Sequence, residues 1–482
     1  MCYLTSKAYV SVVMTNFKKK TFEPNYFCSM FLPICKPSKY TFLDPKADAK
    51  QILADKPEFI KNNDFINNLY KEIESDKNRA GRETILAYHI SDMHLLLDYK
   101  PGTNSDCTGY TCCNEKAGKP KSKSAEAGKW GDYNCDSNPA TIDLLKSAVE
   151  KTGKPDFILW TGDSNDHGIE FEPEVSTNST IHITKKLLEM FPDTVIFPIH
   201  GNHEYSPMNL HDFSKQSNDV IGLIGNAWSD WLTPEVKSEF IKKSYFSYDS
   251  VQHPKSSADF KRKMKNTHII ALNTQNCYSY NFFLDGEFND AGNQVEWLED
   301  TLREIERNGE LAIIIGHIPP GEIDCSNPVS ERYRILLDRF QHVIRLNLYG
   351  HTHFEEFEVI KSIEGEKAIG VNHITSSFTP HQNQNPSFRV ITLDVETKLP
   401  IRIETYTMDL AKANQNDANA VFLFDHEFAD VYGLKDLSPN STQQLTMKIR
   451  DDEQTAKMYA INKLAHGKGS AEIAANKCNE SC

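Results

Sequence analysis

The sequence predicts an α/β fold whose polar site is built from the ends of several strands. Short apolar runs alternate with amphipathic segments from about residue 84 onward, and several runs are followed directly by Asp, Asn or His. No apolar run reaches the roughly 18 residues that a membrane-spanning helix needs. In α/β sheets, ligands bind outside the carboxyl ends of the strands. We therefore expect side chains that are distant in sequence to meet at one edge of the sheets.

The individual elements follow from the spacing of apolar residues. Runs typical of buried strands cover residues 84–90, 156–160, 194–199, 268–272, 311–315, 343–348, 368–374 and 388–395. Helical spacing covers residues 47–77, 140–151, 184–190, 294–307 and 453–464. The pattern predicts four parts: a Cys-bearing N-terminal segment (1–45), a helical linker (46–83), an α/β domain (84–408) and a C-terminal helical subdomain (409–482).

Composition excludes some classes of partner. The chain has 482 residues, enough for a full core and more than one domain, and its formal net charge is −14. That charge argues against binding to a nucleic-acid polymer, which needs a basic face. The 17 histidines take up protons below about pH 6.5, so the chain would lose much of its negative charge in an acidic compartment.

The 11 cysteines are many for a cytosolic enzyme, and they are clustered. Cys107, Cys112, Cys113 and Cys135 lie in a segment rich in Gly, Lys and Ser. A zinc knuckle is one interpretation, but the adjacent Cys112 and Cys113 suit two separate disulfides better than one tetrahedral site. Disulfides indicate a protein of the secretory pathway.

Two further signals bear on localisation. Sequons at Asn178, Asn440 and Asn479 are candidate glycosylation sites and agree with secretion. The first 20 residues contain no proper apolar region ahead of a small-residue cleavage site, so a signal peptide is not evident in the chain as given.

Five short blocks carry the chemistry. They are Asp92-Met93-His94, Gly162-Asp163, Gly201-Asn202-His203-Glu204, Gly316-His317 and Gly350-His351-Thr352-His353. In an extended segment, residues two apart point to the same side, so the Asp-x-His and His-x-His pairs can each face one metal. A carboxylate such as that of Asp163 can bridge two cations, and Asn202 adds an oxygen ligand without further negative charge. The pattern predicts two divalent cations around a shared carboxylate and metal-assisted cleavage of a phosphate ester.

Two histidines are not needed as ligands. His203 adjoins Asn202, and His167 lies four residues after Asp163. Each either donates a proton to a leaving alkoxide or orients a ligand. Proton donation is the favoured role for His203, and the two roles are evenly balanced for His167.

The blocks, in this order, resemble the calcineurin-like metallophosphoesterase superfamily. A narrower resemblance, to the acid sphingomyelinase family, covers residues 86–482. It is carried by Gly-His-Ile-Pro-Pro-Gly (316–321), Gly-Asn-His-Glu (201–204), Asn-Pro-Ser-Phe-Arg-Val (385–390) and the Cys-rich stretch 106–135. The segment 27–36 also resembles the end of a saposin domain. The implied fold is a sandwich of two central mixed β-sheets flanked by helices, with residues 84–408 as the catalytic domain and the C-terminal helical subdomain beside it.

The resemblance implies a role for each site residue. One zinc would be held by Asp92, His94, Asp163 and His353. The second would be held by Asp163, Asn202, His317 and His351, and His203 and His167 would handle the leaving group. The implied disulfides are Cys107–Cys112, Cys113–Cys135, Cys277–Cys325 and Cys478–Cys482.

The expected activity is therefore zinc-dependent hydrolysis of sphingomyelin to ceramide and phosphocholine by a hydroxide that two metals activate. The expected protein is a secreted or lysosomal glycoprotein that contacts a lipid surface. The alternative is a sphingomyelinase-like phosphodiesterase acting on nucleotides or CDP-choline-type small phosphodiesters. A lipid-binding protein with a structural metal pair is a third hypothesis, which the intact Asn202, His203 and His317 argue against. An aromatic wall for choline from Tyr278, Tyr280, Phe282, Phe283 or Phe378 is weaker than simple packing as an explanation of these residues.

Overall fold

The computed structural model describes residues 45–61, 64–75, 81–109, 111–215, 218–284 and 290–470. The predictions made for Cys478, Cys482, Asn479 and the segment 27–36 lie outside these residues.

Twelve strands form two six-stranded sheets in the described residues. The strands are β1 Thr84–Ile90, β2 Phe157–Trp160, β3 Val195–Pro198, β4 Phe246–Asp249, β5 Thr267–Ala271, β6 Leu311–Ile315, β7 Ile344–Tyr349, β8 Glu356–Lys361, β9 Ala368–Ile374, β10 Ser387–Asp394, β11 Pro400–Thr407 and β12 Leu423–Glu427. The first sheet has the order β12-β11-β10-β1-β2-β3, and the second has the order β4-β5-β6-β7-β9-β8.

Helices cover the outer faces and the C-terminal part. They are α1 Pro45–Ile52, α2 Glu58–Lys61, α3 Phe65–Ser75, α4 Leu144–Thr152, α5 Pro173–Ser176, α6 Asn178–Met190, α7 Asp219–Ala227, α8 Pro234–Lys243, α9 Ala258–Lys263, α10 Gln294–Asn308, α11 Asn327–Arg339, α12 Leu410–Gln415, α13 Phe428–Tyr432, α14 Pro439–Asp451 and α15 Glu453–Lys463. Among the described residues, none of these helices is both long and apolar enough to cross a bilayer.

The hydrophobic core shows that the two sheets pack face to face and that helices cover the second sheet. Alternate residues of a strand face opposite sides of its sheet. Ile313 and Ile315 of β6 pack in one core with residues of the first sheet such as Trp160. Ala312 and Ile314 pack on the other face, with residues of α10 and α11. The predicted fold class, two mixed sheets flanked by helices, is confirmed.

The parallel direction of neighbouring strands places the loops that carry the candidate ligands at one edge of each sheet. The strands β1, β2 and β3 run parallel, and so do β5, β6, β7 and β9. The carboxyl ends of parallel neighbours meet at the same edge of a sheet. Loops that are more than 250 residues apart in sequence, such as those after β1 and β7, can therefore form one site.

The predicted elements differ from the observed ones in two respects. The single helix predicted over 47–77 is broken into α1, α2 and α3, and Pro57 lies at the first break, because proline disfavours helical backbone in the residue before it. Four strands, β4, β8, β11 and β12, were not predicted. One of them, β12, lies inside the stretch predicted as a helical subdomain and pairs with β11.

Candidate metal centre

The candidate metal ligands lie in five loops that each follow a strand. They are Asp92 and His94 after β1, Asp163 after β2, Asn202 after β3, His317 after β6, and His351 and His353 after β7. The structure brings all seven together. Six are buried and His351 is partly exposed.

The first implied set surrounds the Nε2 atom of His94. This atom lies 3.0 Å from His353 Nε2 and 3.5 Å from Asp163 Oδ2. His353 Nε2 lies 3.7 Å from Asp92 Oδ1. Zinc–ligand bonds of about 2.0–2.2 Å at tetrahedral angles place ligand atoms about 3.4 Å apart. These three distances are close to that value.

The second implied set lies on the other side of Asp163. Asp163 Oδ2 is 3.0 Å from His317 Nε2, and His351 Nδ1 is 3.0 Å from Asn202 Oδ1. The ligand atoms of Asp163, His317 and His351 all lie within 4.8 Å of one another. Asp163 is thus the residue that both sets share.

Backbone carbonyls fix the orientation of two of the candidate imidazole ligands. His94 Nδ1 lies 2.7 Å from the Asn165 carbonyl oxygen, and His317 Nδ1 lies 2.7 Å from that of Thr161. A carbonyl only accepts, so each Nδ1 carries the hydrogen and each ring turns Nε2 toward the centre. This arrangement is typical of metal-binding histidine. The donor set of imidazole nitrogen, carboxylate and amide oxygen fits divalent ions of the zinc type.

The electrostatics of the cluster favour a cation. Burial, together with the negative charge of Asp163, raises the pKa of Asp92 to about 7. Burial alone would lower the pKa of His317, but the carboxylates of Asp163 and Asp92 outweigh it and raise the pKa to about 9. A cation beside these buried carboxylates would favour their charged forms.

Five of the candidate ligands have left-handed backbone conformation. The φ angles are 51° for Asp92, 38° for His94, 53° for Asp163, 72° for His351 and 67° for His353. Residues with a Cβ rarely adopt this conformation, and each does so at an energetic cost of about 1–2 kcal/mol. The loops therefore hold the ligands in strained positions, which is common at functional sites.

Glu204 holds two of these loops together, a role that the sequence did not reveal. Its buried carboxylate accepts hydrogen bonds from the backbone N–H groups of Asp163 (3.2 Å), Ser164 (2.5 Å) and Gly201 (2.5 Å). A side chain at Gly201 would overlap the Asp163 carboxylate, so only glycine permits this approach. A carboxylate that accepts several N–H groups fixes their positions firmly.

His203 and His167 lie beside His94. The ring centres of His94 are 4.7 Å from His203 and 4.2 Å from His167. His203 Nδ1 lies 3.2 Å from the Asp166 carbonyl oxygen, and burial lowers the pKa of His203 to about 4.

His167 has a buried carboxylate partner that the sequence analysis did not single out. Its Nδ1 lies 2.6 Å from Asp136 Oδ1, and its ring centre is 4.5 Å from that of His381. Burial would lower the pKa of His167, but Asp136 outweighs this effect and raises it. Asp136 lies in the Cys-rich loop and His381 follows β9, so only the fold reveals that they are neighbours.

The disulfides stabilise the loops around the site. Bonds join Cys107 to Cys112, Cys113 to Cys135, and Cys277 to Cys325, the same pairs that the resemblance implies. The last bond ties the loop after β5 to the loop after β6. Asp324, next to Cys325, places its carboxylate 3.3 Å from His351 Nε2.

The other predicted residues differ in accessibility. Asn178 is exposed at the start of α6, whereas the Asn440 side chain donates to Asp64 at 2.9 Å, so a glycan on Asn440 requires this bond to be lost.

Of the aromatic candidates for a choline wall, Tyr278 packs against His351 with ring centres 5.3 Å apart, and Tyr280 packs on Tyr278 at 5.5 Å. Phe378 is fully buried and packs on Phe422, so it serves the core. Phe282 and Phe283 are partly buried beside Tyr280.

Known proteins resemble this chain over most of its length. Sphingomyelin phosphodiesterase B of Dictyostelium discoideum is 30% identical over 390 residues, which cover 79% of this chain and 59% of that protein. Acid sphingomyelinase-like phosphodiesterase 3b of Homo sapiens is 29% identical, with 82% of this chain and 85% of that protein covered. Sphingomyelin phosphodiesterase of Bos taurus is 28% identical, with 76% and 58% covered. The chain thus spans about three fifths of two of these relatives.

A family model gives the broader assignment. The model of calcineurin-like phosphoesterases matches residues 85–355, which include all seven candidate ligands. The sandwich fold and the convergence of these ligands agree with that match. The chain belongs to the calcineurin-like phosphoesterase family.

Proposed function

We propose that the protein hydrolyses the phosphodiester of sphingomyelin to ceramide and phosphocholine and that it binds two zinc ions. The observation that carries the proposal is the pair of ligand sets on either side of Asp163, with Asp163 Oδ2 3.5 Å from His94 Nε2 and 3.0 Å from His317 Nε2. The similarity to proteins named sphingomyelin phosphodiesterases supports the choice of substrate. The three disulfides support a place in the secretory pathway, either secreted or lysosomal.

The residues of the chain would prepare the site for phosphate. When bound, the two metal ions would supply Lewis acidity and lower the pKa of water toward about 7. Asp163 would be one of the residues that hold the ions, and its carboxylate is oriented because Oδ1 accepts the His203 backbone N–H at 2.9 Å. Asp92 accepts the His351 N–H at 3.1 Å, which links the loops after β1 and β7.

The leaving alkoxide of ceramide needs a proton, and His167 is the better placed donor. Its hydrogen-bonded partner Asp136 is buried and stabilises the protonated ring. His203 gives its Nδ1–H to a backbone carbonyl and has no carboxylate partner of this kind among the described residues. We therefore assign proton donation to His167 and place His203 as a neutral ring that contacts the phosphate. This reverses the order favoured from the sequence.

The first experiment measures hydrolysis of sphingomyelin by the purified protein at about pH 5, with and without detergent. Release of phosphocholine that stops with a zinc chelator and returns with added zinc is the expected result. The metal content of the active protein is expected to be two ions per chain. No release, alongside rapid hydrolysis of CDP-choline or ATP, would instead support the smaller-substrate alternative. Binding of two metals without hydrolysis of any diester would contradict an enzymatic role.

The proton-donor assignment predicts a dependence on the leaving group. Replacement of His167 by Gln is expected to slow sphingomyelin hydrolysis by about 100-fold or more. The same variant is expected to hydrolyse 4-nitrophenyl phosphorylcholine almost normally, because nitrophenolate leaves without a proton. His182→Gln, on α6, is the control and is expected to behave like the unmodified protein. Equal losses on both substrates would show that His167 has another role.

A further inference from the structure

A further group of metal-type side chains lies beside the candidate metal centre and is separate from its seven ligands. The group consists of Asp136, His167 and His381, which we call the outer cluster. One donor atom of each residue lies within 4.8 Å of the other two. His167 Nδ1 is 2.6 Å from Asp136 Oδ1, and the ring centres of His167 and His381 are 4.5 Å apart. One carboxylate and two imidazoles are donors that suit an ion of the zinc type.

Backbone hydrogen bonds tie two members of the outer cluster to the loop after β1. The residue that follows Asp136 donates its N–H to the His94 carbonyl oxygen at 2.9 Å. Thr379, two residues before His381, donates its N–H to the Asp92 carbonyl oxygen at 3.0 Å. The fold therefore fixes both residues relative to the candidate metal centre. Ligands that are already positioned lose little conformational freedom when an ion binds.

The outer cluster has donor capacity that its own contacts leave unused. The Nδ1 atom of His381 is buried and has no hydrogen-bond partner among the described residues. A buried polar atom without a partner indicates a bound water, an ion or a catalytic role.

The carboxylate of the outer cluster is buried as well. Asp136 is 3% exposed, and its Oδ2 accepts the His167 backbone N–H at 2.8 Å. Within the part of the chain that the structure describes, His167 is its ion-pair partner, and no lysine or arginine lies within ion-pair distance of it. A divalent cation would therefore meet a buried negative charge that only a histidine balances.

We propose that the outer cluster binds a third divalent cation of the zinc type, and that this ion inhibits the enzyme. The inhibition rests on the proposed function, in which His167 is the proton donor. The ion would replace the hydrogen between His167 Nδ1 and Asp136 Oδ1, and the proton would pass to solvent. These two atoms would then separate from 2.6 Å to about 3.4 Å, the spacing of ligand atoms around tetrahedral zinc.

The bound ion would change the acidity of His167. With an ion on Nδ1, the ring keeps a hydrogen on Nε2, but loss of that hydrogen would leave an imidazolate anion, so the ring would no longer be a useful acid. The outer cluster offers three protein ligands, one fewer than each ligand set of the candidate metal centre. We therefore expect it to fill only after those sets, when zinc is in excess.

Zinc titration tests the site without turnover. The protein, freed of loosely bound metal by gel filtration, is titrated with zinc chloride at about pH 7, where imidazole is mostly neutral. We expect one further ion per chain. His381→Gln is expected to bind it at least about 100-fold more weakly, because loss of a ligand costs at least as much as loss of a group that only orients one. Asp136→Asn is expected to show the same loss.

The matched control is His182→Gln, which removes a partly buried histidine of α6 that belongs to no such cluster of the described residues. This variant is expected to bind the further ion normally. Melting temperature is measured on every variant to show that it is folded. Absence of a further ion in the unmodified protein, or its normal binding by His381→Gln, would overturn the outer cluster as a metal site.

The inhibition is measured separately, as the activity of each protein in excess zinc divided by its own activity before the titration. This ratio is expected to fall at least about tenfold in the unmodified protein and in His182→Gln, and much less in His381→Gln. Equal ratios in all three would overturn the inhibition. A further ion that His381→Gln loses, in a protein that hydrolyses no diester, would support the site and overturn the proposed function. Hydrolysis of sphingomyelin without a further ion would do the reverse.

Discussion

Replacement of Asp163 by Asn is expected to lower phosphodiesterase activity by at least about a thousandfold while the protein still folds. Asn has nearly the same shape, but it lacks the charge and one of the two oxygens that a bridging ligand needs. Asp163 Oδ2 lies within 3.5 Å of ring nitrogens from both ligand sets, so its loss affects both. We expect the metal content to fall from two ions per chain to one or fewer, measured by elemental analysis after gel filtration.

The matched control is Asp156→Asn at the other end of the same strand. Asp156 lies directly before β2 and accepts the Leu86 backbone N–H at 2.8 Å, far from the ligands. This variant is expected to keep two metals and to retain activity within a fewfold factor. An Asp163→Asn protein with two metals and normal turnover would contradict the assignment of Asp163 as the shared ligand.

Replacement of His426 by Gln is expected to destabilise the protein by about 3 kcal/mol or more near pH 5.5. His426 Nε2 lies 2.8 Å from Glu355 Oε1, and Arg389, which is fully buried, lies 3.5 Å from the other Glu355 oxygen. Asp425 approaches His426 Nδ1 at 2.8 Å. Loss of the imidazolium removes the nearer of the two cations that neutralise buried Glu355 and leaves only Arg389, which is the reason for the large effect.

The pH dependence of this contribution has a defined sign. Burial would lower the pKa of His426, but Glu355 and Asp425 raise it from 6.5 to about 10. The contribution of His426 to the free energy of unfolding is therefore fully present below pH 6.5, and it is lost as the pH rises toward about 10. Burial would raise the pKa of Glu355, but His426 and Arg389 lower it from 4.5 to about 2, so its contribution is full above pH 4.5 and is lost on further acidification. Both are at full strength between pH 4.5 and pH 6.5.

Urea denaturation at pH values from 6.5 to about 10 measures how the free energy of unfolding changes. The unmodified protein is expected to lose stability from pH 6.5 toward pH 10, and the His426→Gln protein is expected to show a flatter curve. His268→Gln removes a histidine from the partly exposed pair with Glu310 (2.9 Å) and is expected to cost less than about 1 kcal/mol. Parallel curves for the His426 variant and the unmodified protein would show that the ion pair does not account for the pH dependence.

The buried strands could be predicted from the sequence, whereas several outer strands could not. Residues 311–315 form a continuous apolar run because both faces of β6 are covered. The strand β8 has a mixed sequence, Glu-Phe-Glu-Val-Ile-Lys, because it is the last strand of its sheet and is only partly buried. The strand β12 exposes Leu423 and Phe424 at the edge of the other sheet. Edge strands need neither a continuous apolar run nor a regular alternation, so the sequence pattern gives little indication of them.

The candidate ligands could be predicted because each one follows an apolar run that is recognisable in the sequence as a strand. Asp136 and His381 could not, because Asp136 follows no predicted strand, His381 lies seven residues beyond the predicted strand 368–374, and their contacts with His167 depend on the assembled fold. Glu204 stood within a recognised block, but its role is to accept backbone N–H groups, which leave no residue pattern to detect. Sequence thus indicated the candidate ligands better than the residues that position them.

The left-handed ligands have a consequence for attempts to improve the protein by directed evolution. Glycine at position 92 would relieve the unfavourable φ angle and would remove a buried carboxylate whose charged form is disfavoured. The same reasoning on φ applies at positions 163 and 351. A library sorted only for heat resistance would therefore accept replacement of these candidate ligands, and turnover has to be screened in every round alongside heat resistance.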